Sequence, residues 1–142
     1  MIKLESIPFV SIVIPTTGNV KFIKGLVESV SKLDYPKDKF ELILIGDEET
    51  ELLSLNSKRA KEYGIKTTVK YEPFAAGKKR NIGVELAKGE IIAFTDDDTI
   101  LKEDWISNAV RHLNDNNEYV GVGGPNFTPR EGLPFAKAVG RI

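Results

Sequence analysis

Three consecutive carboxylates, Asp96, Asp97 and Asp98, follow the apolar run EIIAF, residues 90–94, after the single residue Thr95. Charges of one sign that close together repel, so their placement needs a cause. One of them could cap a following helix, because Asp and Thr favour the N-cap and acids favour a helix N-terminus. Three are more than a cap requires, and Glu103 and Asp104 already stand ready for the first turn of the next helical pattern. A divalent cation would relieve the repulsion. Mn²⁺ or Mg²⁺ takes one or two carboxylates and completes its octahedron with water and phosphate oxygens. A second group, Lys78, Lys79 and Arg80 in GKKRN (77–81), sets cations at a helix start, where the dipole favours anions. Taken alone this is a solvated basic turn. An anion bound there would satisfy both the free N–H groups and the cations. Acids for a cation and bases for a diphosphate together describe a metal–diphosphate site. Asp47, after the run ELILI, is by itself compatible with a turn cap. His112, the sole histidine, reads as a boundary residue and Trp105 as core.

The elements that must position these residues are legible as alternating patterns. Five short β-branched runs read as strands: VSIVI (10–14), ELILI (41–45), TTVKY (67–71), EIIAF (90–94) and YVGVG (119–123). Between them lie helical stripes: Phe22, Ile23, Leu26, Val27, Val30 and Leu33, then Trp105, Ile106, Ala109, Val110 and Leu113. Segment 50–63 is a weaker helix with Leu52, Leu55 and Tyr63 as apolar points. Ile82 and Leu86 mark a helix that stops near Gly89. Strand and helix alternate four times, which predicts an α/β fold with a mostly parallel sheet and helices on both faces. In such sheets ligands sit beyond the carboxyl ends of the strands. PTTGN (15–19), GDEE (46–49), EPFAAGKKRN (72–81) and TDDDT (95–99) all leave those ends.

Length and composition bound the rest. A chain of 142 residues, 41% hydrophobic and 29% charged, is one domain's worth. A net charge of −1 gives no electrostatic reason to expect nucleic acid. The absence of cysteine excludes disulfides and thiol nucleophiles. No signal peptide and no apolar stretch near the ~20 residues of a membrane span is evident, so the expected location is cytoplasmic. After Gly123 the periodicity ends in a Pro- and Gly-rich tail. The expected organisation is a periodic unit over 1–125 and the start of an incomplete region over 126–142.

VSIVIPTTGN, FELILIGDEE and GKKRNIGVELAKGEIIAFTDDDTILKEDW resemble, in order and spacing, the nucleotide-sugar half of the inverting family 2 glycosyltransferases. The resemblance runs from about Val10 to Pro125 and implies a Rossmann-like GT-A sheet, apparently truncated: a nucleotide-sugar-binding half-domain over 1–125 and the start of an incomplete acceptor-side region over 126–142. It implies transfer of a sugar from a nucleotide-diphosphate sugar, a UDP-sugar by expectation, to an acceptor that is a sugar, lipid or protein. In it the DxD aspartates hold the donor. Asp96 takes a ribose or phosphate-side contact and shares the Mn²⁺ or Mg²⁺ with Asp98, and Asp97 lies among the donor-binding acids. Asp47 matches the acid that reads the base, Pro15 and Thr16 line the nucleotide pocket, and Lys78 and Arg80 lie near base and diphosphate. GDEET departs from the family's usual Asp-Asp-Gly-Ser strand end. The family's general base has no counterpart here: Glu131 is the one acid of the tail, and its setting, PREGLP, does not match. Full-length relatives often act at the cytoplasmic membrane face. Two other readings stand beside this one. A nucleotidyltransferase usually has a more Gly-rich first loop than PTTGN. A Mg²⁺-binding receiver-like signalling domain divides its acids between the first and third strands.

Overall fold

The computed structural model describes residues 7–17, 21–125 and 127. Its elements are β1 (Val10–Pro15), α1 (Ile23–Ser31), β2 (Phe40–Gly46), α2 (Glu51–Glu62), β3 (Lys66–Tyr71), α3 (Ala76–Leu86), β4 (Ile91–Phe94) and α4 (Trp105–Asp115). The four strands form one sheet in the order β3-β2-β1-β4. Every pair is parallel, with Pro15 beside Ile45, Gly46 beside Tyr71 and Val13 beside Phe94. All four carboxyl ends therefore share one edge. β1 and β2 are buried along their whole length, as suits central parallel strands of largely apolar sequence. The outer strands are only half-buried: β3 alternates exposed with partly buried residues.

Side chains alternate across the sheet and build two cores. Val10, Ile12 and Ile14 of β1 with Phe40, Leu42 and Leu44 of β2 pack against α1, α2 and α4. Val13, Ile43 and Ile45 face the other way, onto Ile82 and Ala87 in and after α3. Gly83 makes that second contact close, since a Cβ there would meet Val13 Cγ1 at 2.3 Å. At the amino edge, Ser11 Oγ donates to buried Glu41 Oε1 at 2.7 Å. Lys88 N donates to the same carboxylate at 2.9 Å, and Gly89 N donates to Ser11 Oγ at 2.8 Å. This network seats the AKGE turn before β4. Gly89 is needed there because a Cβ would meet Ser11 N at 2.6 Å.

Several expectations are corrected. YVGVG is not a strand: Tyr119 and Val122 are exposed and Val120 is fully so, with no strand beside them among the described residues. Its glycines carry no side chain to pack, and its apolar residues find no neighbour to reward extension. Phe22 leaves the α1 stripe, because it sits at the N-cap with 61% of its surface exposed. In α2 the buried face is Leu53, Asn56, Ser57 and Ala60, while Leu55 is exposed. Trp105 is only partly buried, at the rim of the larger core. Asp104 takes the α4 N-cap position, but its side chain accepts from the Asn108 side chain and caps no helix N–H. His112 is exposed. The turn beyond Thr17 and the tail with Glu131 lie outside the described residues.

Candidate functional site

The parallel register places Thr16, Asp47 and Asp96 just past three adjacent strand ends. Thr16 continues β1 and holds its place by donating its N–H to Ile45 O at 2.9 Å. Asp47 follows Gly46 at the end of β2. The segment after β4 turns sharply, with Thr99 N donating to Asp96 O at 3.3 Å, so Asp97 and Asp98 form the corner. That turn is anchored from behind. Leu101 N donates to Ser29 Oγ of α1 at 3.1 Å, and Asp34 N donates to Glu103 O at 2.9 Å. The aspartates thus project from a braced turn, Asp96 and Asp98 exposed and Asp97 half-buried.

α3 runs back under the sheet and starts at this same edge. Its N-cap is Ala75, which offers no side-chain acceptor to the first N–H groups. The three basic residues of its first turns go three ways, because successive helical residues point about 100° apart. Lys78 lies over the Phe74 ring, 3.6 Å from its centroid. Lys79 turns under the sheet, 3% exposed, and its Nζ donates to Thr16 O at 2.8 Å and to Asp47 Oδ1. Arg80 Nη2 donates to Asp96 Oδ1 at 3.0 Å in an ion pair at the surface.

The basic turn is therefore not simply solvated. Two of the three cations are met by strand-end carboxylates. Lys79, the most buried of them, was not among the expected site residues. Three adjacent cations cannot be ranked by burial from sequence when the helix face is unknown. Of the expected site residues, the structure gathers Pro15, Thr16, Asp47, Arg80, Asp96 and Asp97 at one edge, with Asp98 on the same turn. It sends Lys78 to an aromatic ring instead of a carboxylate.

Asp97 is electrostatically the least comfortable of the acids. Burial pushes its carboxyl above the ordinary value, and the neighbouring charges of Asp98 and Asp96 add to this, against a hydrogen bond with the Thr16 side chain that lowers it. Among the described residues no three His, Cys, Asp or Glu side chains gather closely enough to cage a metal by themselves. The donor set nevertheless fits a cation that takes one or two carboxylates from a turn and its remaining oxygens from phosphate and water. A shallow depression lined by Ile7, Tyr35, Val110 and Arg111 lies at the opposite, amino edge and contains none of these residues.

Residues 11–138 match the sequence model of glycosyl transferase family 2. The chain belongs to that family. Among similar family members is the poly(ribitol-phosphate) β-N-acetylglucosaminyltransferase TarS of Staphylococcus aureus, 27% identical over 78% of this chain and 20% of TarS. The glycosyltransferase AglE of Haloferax volcanii is 25% identical over 87% of this chain and 41% of AglE. The chain thus spans well under half the length of these relatives. A mannosyltransferase from Pyrobaculum calidifontis, solved with GDP-Man and Mn²⁺, superposes with a TM-score of 0.66 at 27% identity, over 75% of this chain and 32% of its own. TarS residues 1–349 with UDP-GlcNAc superpose with a TM-score of 0.69 at 23% identity, over 87% of this chain and 38% of that one. The fold is that of the GT-A glycosyltransferases.

Proposed function

We propose that this chain holds the nucleotide-sugar half of a metal-dependent, inverting family 2 glycosyltransferase. It would bind a nucleoside-diphosphate sugar, a UDP-sugar by preference, along the carboxyl edge of the sheet. The observation that carries this reading is the convergence on that edge of an acidic turn, an uncapped helix start and Arg80. A diphosphate needs a cation and N–H donors, and the edge offers places for both. Asp96 and Asp98 would hold Mn²⁺ or Mg²⁺, which when bound neutralises charge building on the departing diphosphate. Asp47 would accept from the base, with Pro15 and Thr16 lining the pocket wall beside it. Arg80 would exchange part of its contact with Asp96 for a phosphate oxygen, and Lys78 would stand near by. Such an exchange is inexpensive, since an exposed ion pair is worth about 0–1 kcal/mol. Asp97 completes the acidic turn and ties it to β1 through Thr16.

The TarS and mannosyltransferase complexes support the donor class, and the Mn²⁺ in the latter supports the cation. The acceptor, a sugar, lipid or protein, would be bound by parts of a longer enzyme. Among the described residues no helix is long and apolar enough to cross a membrane. A cytoplasmic site of action, at the membrane face in a longer protein, remains part of the proposal.

Calorimetry of UDP binding to the 142-residue chain, in Mn²⁺ and in EDTA, tests the reading. Metal should tighten binding by about 1–3 kcal/mol, and Asp98→Ala should abolish that increment. Equal affinity with and without metal would remove the metal assignment.

A further inference from the structure

Lys79 has no part in the site as so far proposed, yet it is the most buried of the cations at that edge. Its side chain is 4% exposed, whereas its partner Asp47 is 40% exposed. Burying an ammonium is costly unless it is paired and hydrogen-bonded. Here it is both: Nζ donates to Asp47 Oδ1 from below and to the Thr16 carbonyl at 2.8 Å. One ammonium thus ties the end of β1 to the first residue past β2. Thr16 in turn hydrogen-bonds Asp97 through its side chain, so the tie extends to the turn after β4. Among the described residues, Lys79 is the single partner of the Asp47 carboxylate, and it uses one of the two oxygens.

The geometry points to Lys79 as a positioning residue that clamps Asp47 in one orientation and thereby sets which nucleobase the site accepts. The inference rests on the proposed reading of Asp47 as the acid beside the base. A carboxylate held at Oδ1 from beneath offers Oδ2 toward the exposed side as a fixed acceptor. A fixed acceptor suits a base edge carrying a ring N–H, as in uracil or guanine. It opposes the bare ring nitrogen of cytosine at the same position. A carboxylate released from Lys79 can swing to follow the cytosine amino group, and discrimination is lost. Lys79 does not itself touch the base, because it lies under the sheet edge.

The test measures UDP, GDP and CDP binding by calorimetry in Mn²⁺ for the unmodified chain and for Lys79→Met, which retains the apolar stem. Thermal melts run alongside. Lys79→Gln takes its place, with the same expectation, if the methionine variant does not fold. The unmodified chain should prefer the better of UDP and GDP over CDP by about tenfold or more, as befits a site that leaves a mismatched polar group unpaired. In the variant that ratio should fall to about threefold or less, with UDP and GDP weakened and CDP bound at least as tightly as before. A purely structural role would weaken all three nucleotides alike and leave the ratio intact, which overturns the inference alone. An unmodified chain that binds none of the three overturns the donor-site reading as well.

Discussion

At the scale of single residues, Asp97 shows how a strand-end site trades stability for charge. Its carboxyl is held above the ordinary value by burial first and by its acidic neighbours second. A carboxyl that is easier to protonate when folded binds more protons in the native state than in the unfolded one. Stability therefore falls as pH rises from the unfolded value toward the folded one, and the penalty is fully present at neutral pH. Asp97→Asn removes the charge while its amide oxygen can still accept from Thr16. We expect this variant to melt slightly higher than the unmodified chain at neutral pH, by a small margin because solvent screens a half-buried charge. At pH 3.5 the two should melt together. Nucleotide affinity in Mn²⁺ should fall, because a destabilised charge is retained where a ligand uses it. Melting curves showing the unmodified chain more stable at neutral pH would refute the electrostatic account of this position.

Among the elements, α3 has the weakest apolar stripe, yet among the described residues it is the helix that covers the second face of the sheet. What lets it lie there is Gly83, against which Val13 packs directly. An alanine at this position gains helix propensity of about 1 kcal/mol but forces a methyl into a β-branched side chain on a fully buried strand. The clash should win, with Gly83→Ala less stable by about 1–2 kcal/mol in urea denaturation. Val13→Ala in the same chain should recover part of the loss, since the two residues share one contact. Strict additivity of the two losses would show that the cost lies elsewhere. The same helix carries Lys79 and Arg80, so a shift of α3 should also loosen nucleotide binding. By contrast, the Ser11–Glu41 network at the amino edge fixes the AKGE turn without reaching the site.

At the scale of the whole molecule, the proposed reading makes the carboxyl edge the donor side of a reaction centre. It assigns groups there to a leaving diphosphate and none of the described residues to the base for an attacking hydroxyl. Removing a general base typically lowers a rate by ~10²–10⁴, and losing acceptor positioning lowers it further. On that proposed reading, this chain should bind donor and turn it over near background. Incubation with Mn²⁺ and a panel of UDP- and GDP-sugars, with and without sugar and lipid-phosphate acceptors, followed by nucleotide release, measures this. Robust acceptor-dependent release would place the base within these residues.

Sequence by itself determined the α/β alternation, the four parallel strands and the crowding of acids and bases at their carboxyl ends. These follow from local pattern: unbroken β-branched runs, helical spacing and stop signals are properties of neighbouring residues. The DxD and RNIG stretches carried the family resemblance for the same reason. YVGVG misled because its composition satisfies a strand pattern, while a strand also needs a partner, which no local pattern supplies. Tertiary structure alone decided among Lys78, Lys79 and Arg80. They are adjacent in sequence, and helical geometry points them at an aromatic ring, at Asp47 with the Thr16 carbonyl, and at a surface aspartate. It alone showed that Gly83 and Gly89 are sites of close approach, since their neighbours Val13 and Ser11 lie about seventy or more positions away in the chain. Burial and charge pairing are relations between distant residues. They exist only once the sheet has brought β1 between β2 and β4.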